Sequence, residues 1–81
     1  MNELPKIDVH GMNSEDAILT VRINLKEFYD QGYQEVFIVH GKGQGILREK
    51  IRLLLSQTPY VKSIRSAKYN EGGDGVTVAI F

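Results

Sequence analysis

The sequence predicts an α/β fold, a two-layer sandwich in which a mixed four-stranded sheet carries two helices on one face, in the order β-α-β-α-β-β. Three observations predict it. The continuous apolar run Val36-Phe37-Ile38-Val39 reads as a strand buried on both faces, as in parallel sheets. Two stretches with apolar residues at helical spacing lie between strand-like segments. Residues 61–68 and 76–81 flank a stretch rich in glycine and turn formers, residues 70–75, and so read as an antiparallel hairpin whose loop is too long for a tight turn. Right-handed crossovers between parallel strands then put both helices on the same side.

In chain order, residues 7–10 alternate apolar and polar, with Ile7 and Val9 on one face of a short strand and Asp8 and His10 on the other. Gly11 ends it. Asn13, with Asp16 on the same first turn, resembles a capping box. Ala17, Ile18, Val21, Leu25 and Phe28 then form the stripe of a first helix, stopped by Gly32 near Gln31. The second strand spans Glu35–Val39. Ile46, Leu47, Ile51, Leu54 and Leu55 mark a second amphipathic helix, which Pro59 halts by disfavouring helical geometry at Thr58. Residues 61–68 are a weaker strand and residues 76–81 a clear one.

With 81 residues, the chain makes one domain, which buries roughly 60% of its unfolded surface. Residues 1–5 are expected to be a disordered leader or an addition outside the natural domain, and residues 6–81 the domain itself. There is no cysteine, so disulfides, thiolate metal sites and thiol nucleophiles are excluded. That agrees with a reducing cytoplasm. No segment reaches the length of a membrane span, and no membrane partner is expected. Formal net charge is zero, yet the charges segregate. Between His40 and Lys68 stand seven basic residues against the single acid Glu49, a net of +6, while the remainder holds three basic and nine acidic residues, a net of −6. Such asymmetry suits a chain with one region facing a polyanion.

The stretch His40-Gly41-Lys42-Gly43-Gln44-Gly45, between an apolar strand and a helix, reads as a backbone-binding site for nucleic-acid phosphate. Alternate glycines let the backbone approach a ligand and turn amides inward as an anion nest, and the following helix adds its own unpaired amides. Lys42 and Arg48 supply cations for phosphate oxygens. Neither the Walker spacing nor the dinucleotide fingerprint is matched, so this is not a nucleotide-binding loop of those kinds.

Two strand ends echo each other. Ile7-Asp8-Val9-His10-Gly11 and Ile38-Val39-His40-Gly41 both close on Val-His-Gly. As parallel neighbours they bring both histidines to one carboxyl edge, where α/β sheets bind ligands. Asp8 and His10 project from the same face, so the carboxylate can fix the tautomer of the imidazole or favour its protonated form, as acid–base chemistry requires. With His40 and Lys42 they form a set able to handle a phosphodiester; the plainer alternative is that Asp8 caps the following loop. Two His and one Asp can also ligate a divalent cation such as Mg²⁺ or Mn²⁺, but no spacing is diagnostic and no metal ligands are assigned. Gly72-Gly73-Asp74-Gly75 reads as a hairpin turn in which Asp74 accepts backbone hydrogen bonds. The aromatic residues are scattered, without a paired motif for stacking single-stranded bases, so sequence-specific readout is not expected.

Three motifs in order, Asp8-Val9-His10-Gly11 before a capped helix, Val39-His40-Gly41-Lys42-Gly43-Gln44-Gly45-Ile46-Leu47-Arg48, and Gly72-Gly73-Asp74-Gly75-Val76-Thr77-Val78, resemble the Smr (small MutS-related) domain over residues 6–81. The glycine loop, Pro59-Tyr60-Val61-Lys62 and the last motif are most similar to the form at the C-terminus of the second bacterial MutS paralogue. The resemblance implies a fold like the C-terminal domain of a bacterial translation initiation factor, and nicking or endonuclease activity on DNA or RNA. It maps the motifs implicated in cleavage onto Asp8, His10, His40, Gly41 and Gly43. It also implies an excised C-terminal piece of a parent with MutS-like ATPase domains, concerned with DNA repair and recombination control or with stalled ribosomes. Many domains of that paralogue carry Arg where this chain has His10, so the histidine favours cleavage over binding alone.

The expectation is therefore a nucleic-acid endonuclease domain with little sequence preference. Asp8, His10 and His40 carry the acid–base chemistry, and Gly41, Lys42, Gly43, Gly45 and Arg48 bind the phosphate backbone. The rivals are a non-catalytic module docking its parent on branched DNA or ribosomal RNA, and a protein-interaction domain using the acidic first helix.

Overall fold

Parallel pairing of the first two strands organises the sheet. In the computed structural model, which describes residues 4–81, β1 (Lys6–Asp8) pairs in parallel with β2 (Glu35–Val39), with Lys6 opposite Phe37 and Asp8 opposite Val39. Antiparallel β4 (Val76–Ile80) lies on the other side of β2, and β3 (Ser63–Ser66) on the outer side of β4, giving the order β1-β2-β4-β3. The long central strands are thus flanked by short edges. Of the expected leader, residues 1–3 lie outside the described residues, while the Pro5 carbonyl accepts from the Phe37 amide at 2.8 Å.

Helix α1 (Ser14–Asp30) begins as the capping pattern predicts, with the Asn13 side chain accepting from the Asp16 amide at 2.9 Å. The reciprocal half of the box is altered, since Asp16 Oδ2 takes the Asn13 side-chain amide rather than its backbone N–H. At the other end Gly32 adopts φ +88°, and the amides of Gly32 and Tyr33 donate to the carbonyls of Tyr29 and Phe28. This is a Schellman closure, and its hydrophobic contact is the edge-to-face pair Phe28–Tyr33, 5.2 Å between centroids. Helix α2 (Ile46–Ser56) ends before the pre-proline Thr58, whose hydroxyl donates to the Leu54 carbonyl at 2.8 Å.

Strand alternation sorts side chains between two faces. Ile7, Val36, Ile38 and Ala79 face the helices and form one core with Ala17, Val21 and Leu25 of α1 and Ile51 and Leu55 of α2. Full burial of such side chains contributes about 1.5–3 kcal/mol each. Ile46, expected in this stripe, is instead exposed at the first position of α2. Among the described residues the opposite face carries no helix, and a smaller cluster of Phe37, Val76 and Val78 lies there with Val39 and Ala67 against it. Three of the aromatic residues, Tyr29, Tyr60 and Phe81, pack together with centroids 4.6–6.0 Å apart.

Three strand boundaries differ from the sequence reading. β1 ends at Asp8, not His10, because the His10 amide turns to the Asp8 carboxylate at 3.2 Å and leaves the ladder. β3 is shorter than residues 61–68, because Val61 is held in a turn by the Thr58 carbonyl and Lys68 opens a 3₁₀ turn, Tyr69–Glu71. β4 ends at Ile80, although the Phe81 amide still donates to Gln34. The loop joining β3 and β4 is two such turns, the second Gly73–Gly75. Its anchor is Glu71 rather than Asp74. Glu71 accepts from the Lys68 amide at 2.8 Å and from both terminal nitrogens of Arg65 at 2.9 and 3.1 Å, whereas Asp74 makes no side-chain hydrogen bond among the described residues.

Two glycines test these loops. A Cβ at Gly32 (φ +88°) meets no atom within 4 Å, whereas one at Gly72 (φ +114°) would approach Val76 Cγ2 to 2.4 Å. Gly32→Ala is expected to cost about 1 kcal/mol and Gly72→Ala at least about 2 kcal/mol, read as shifts of the urea midpoint at unchanged m.

Candidate nucleic-acid site

The histidine echo is offset by one residue, and that offset decides the site. Because Asp8 pairs with Val39, His10 falls opposite Gly41, not His40; a Cβ on Gly41 would touch His10 Cβ at 3.4 Å. Side chains alternate, so the two imidazoles leave the sheet edge on opposite faces. Asp8 and His10 share the open face and line a groove of about 620 Å³ there. His40 lies with the helices, 4% exposed.

His10 Nδ1 meets Asp8 Oδ1 at 2.5 Å, with both side chains solvent-accessible. The carboxylate also accepts the His10 amide, so one oxygen fixes backbone and ring together. These two bonds, the side-chain one foremost, hold the Asp8 pKa below its ordinary value. In the neutral ring the Nδ1–H donates to Asp8, which leaves Nε2 as the acceptor.

His40 uses both ring nitrogens internally. Nδ1 lies 2.8 Å from the Gly41 carbonyl, and Nε2 lies 2.9 Å from Thr77 Oγ1, which also accepts from Arg52 Nε at 3.2 Å. A carbonyl only accepts, so Nδ1 carries the proton and Nε2 takes the hydroxyl proton of Thr77. Burial pushes the His40 pKa down, the Gly41 carbonyl opposes it, and Arg48 and Arg52 add to the depression. The ring is a neutral strut under the glycine loop.

In that loop Gly41, Gly43 and Gly45 have φ of +82°, +42° and +83°. The amides of His40 and Gly41 both donate to the Gly75 carbonyl at 3.0 Å, and the Gly45 amide donates to Lys42. Among the described residues, the amides of Lys42, Gly43 and Gln44 make no internal hydrogen bond. These three, not those of Gly41 and Gly45, are available to an anion. Lys42 lines the groove. Arg48 does not; it sits half-buried near His40, with its Nε enclosed and without a partner.

The sequence reading missed several groove residues. Lys6 was legible, since strand alternation puts it on the face of Asp8. Phe37, Val39 and Val76 form the apolar floor, and Asn70 and Gly75 bring the hairpin loop against it. Nothing in a hairpin motif signals that approach. No three His, Cys, Asp or Glu side chains converge as metal ligands among the described residues. Glu71, the other carboxylate at the groove, is drawn to about pH 2 by Arg65 first and the Lys68 amide second.

Comparison with known proteins places this arrangement. The family model described as the Smr domain matches residues 7–81. The chain belongs to the Smr domain family. Among curated relatives, the Endonuclease MutS2 of Clostridium perfringens is 50% identical over 94% of this chain, and that of Caldicellulosiruptor bescii 51% identical over 89%. The chain spans about a tenth of the length of such relatives, 10% and 9% respectively. The crystal structure of the Smr domain of Thermus thermophilus MutS2 superposes with a TM-score of 0.90 at 36% identity, covering 95% of this chain and 96% of that one. YdaL, a stand-alone small MutS-related protein of Escherichia coli, shares the fold at a TM-score of 0.92 and 20% identity, covering 99% of this chain and 66% of that one.

The buried imidazole has a measurable signature. His40 is expected to titrate below the ordinary histidine value of about 6.5 when followed by ring NMR. The unfolded chain then binds this proton at higher pH than the native one, so the contribution to stability is complete above about 6.5 and declines as pH falls through that value. Urea midpoints should fall between about pH 7 and 5, and His40→Gln should flatten that slope.

Proposed function

We propose that this domain binds the nucleic-acid backbone and cleaves a phosphodiester with little sequence preference, using His10 as its acid–base group. The observation that carries the reading is the Asp8–His10 pair at 2.5 Å on the wall of a groove shared with Lys42. Asp8 orients the ring and stabilises the imidazolium, and Nε2 receives the proton of the attacking hydroxyl. Lys42 and the amides of residues 42–44 stabilise charge developing on the phosphate oxygens. His40 is a positioning residue, since both its nitrogens hold the loop that presents those amides. Arg48 contributes field and support behind the loop rather than a groove contact. In RNA the 2′-hydroxyl is an internal nucleophile, whereas DNA needs an external one. Within a longer MutS-like parent such a domain would act in the cytoplasm on recombining DNA or on RNA of stalled ribosomes.

A second reading, a non-catalytic module that docks its parent on DNA or ribosomal RNA, is favoured by one observation: with His40 enclosed, a single imidazole faces the groove.

Matched DNA and RNA substrates, with and without chelator, separate these readings. His10→Ala is expected to lower cleavage at least about 100-fold with unchanged thermal midpoint. Lys42→Ala should weaken binding across sequences and reduce the salt slope by about 1. Binding without cleavage under every ion condition would establish the second reading, and cleavage undiminished in His10→Ala would refute the first.

A further inference from the structure

The groove holds more than a phosphate needs. An anion site calls for cations and amides, and the groove has Lys42, with Gly41 beside it, at one end. The rest of the lining is apolar: Phe37 and Val76, mostly covered at 9% and 6% exposure, half-buried Val39, and exposed Leu4, on a sheet face that carries no helix among the described residues. A concave apolar surface does not complement a sugar–phosphate backbone, nor the base edges of a stacked duplex. It does complement the flat face of a base that has left its stack. The volume, about 620 Å³, lies within the range of roughly 300–1,000 Å³ typical of small-molecule pockets. Asn70 stands on the opposite wall with an amide that both donates and accepts, which suits the edge of a base. Lys6, beside Asp8, adds a second cation along the rim.

We propose that the open-face groove is a nucleobase subsite, which seats one unstacked base of a single-stranded segment against the apolar lining of Leu4, Phe37, Val39 and Val76 and thereby sets the adjoining phosphate at Lys42 and His10. This rests on the cleavage reading for what happens to that phosphate, but the seat itself is defined by the groove alone. It gives the domain a preference for unpaired strands without a preference for sequence, because every base has an apolar face. The hairpin loop forms the far wall, and its Glu71–Arg65 ion pair keeps that wall standing.

The test uses the 81-residue chain and fluorescence anisotropy with labelled oligodeoxythymidine and with oligouridine blocked at every 2′-hydroxyl by methylation. Each strand is compared with one carrying a run of abasic sites and with the same strand in duplex. The intact single strands are expected to bind roughly tenfold more tightly than the abasic strands, as removing roughly 50–60 Å² of apolar surface from water predicts, and more tightly than duplex. The tighter of the two intact strands names the natural source. In parallel, the methyl resonances of Val39 and Val76 should move on adding a nucleoside monophosphate and stay put on adding ribose phosphate. Equal affinity for intact and abasic strands, or unmoved Val39 and Val76 methyls at saturating oligonucleotide, overturns the subsite. The cleavage reading fails separately: a domain that shows the abasic penalty but cuts nothing keeps the subsite and loses the nuclease assignment.

Discussion

One constraint, the parallel register that sets Asp8 against Val39, governs everything at the working edge of this sheet. It fixes which residues of the two Val-His-Gly endings share a face. A register one residue away would bring the two imidazoles to the same side and send Val9 and its apolar neighbours the wrong way. The core forbids that slip, because Ile7, Val9 and Ile38 are buried under the helices and cannot be turned to solvent without losing the main cluster. Packing on one face therefore dictates the chemistry on the other. Two identical tripeptides acquire different fates from their position in a ladder.

Those fates differ in dielectric as much as in geometry. His10 stands exposed to solvent, its Nδ1 on a carboxylate. His40 lies under α2 with two arginines nearby, where a further positive charge is opposed both by lost hydration and by repulsion. The first imidazole keeps Nε2 free of partners among the described residues, and the second has both nitrogens engaged. Thr77 completes the second arrangement from the core of β4, which explains a polar residue at a fully buried strand position.

Much of this was legible in the chain. The capping residues of α1, the apolar run of β2 and the helical stripes follow from local periodicity, which is written in consecutive residues. The Asp8–His10 pair follows equally from strand alternation. What the chain conceals are relations set by register and by long-range approach. The offset between His10 and His40 depends on how two strands align, and the residues of either strand alone do not state it. The groove floor is built on Phe37 and Val76, which read as core in a run of apolar residues and are indeed mostly covered; that they also line a groove follows from the absence of a helix on that face among the described residues. Arg48 looked like a phosphate ligand because it follows a glycine loop, yet the turn of α2 carries it toward Arg52 and His40.

The Gly75 carbonyl, accepting from two successive amides at the end of β2, ties the glycine loop to the last strand. The loop's residues leave the ribosome well before their acceptor does. Docking of β4 supplies the central hydrogen bonds of the sheet, the hydroxyl partner of His40 and the carbonyl clamp in a single event. A chain cut short before Gly75 keeps the Asp8–His10 pair, which is local, but loses the clamp on the loop that carries Lys42, so the distance between the two halves of the groove is set by the last strand to be made.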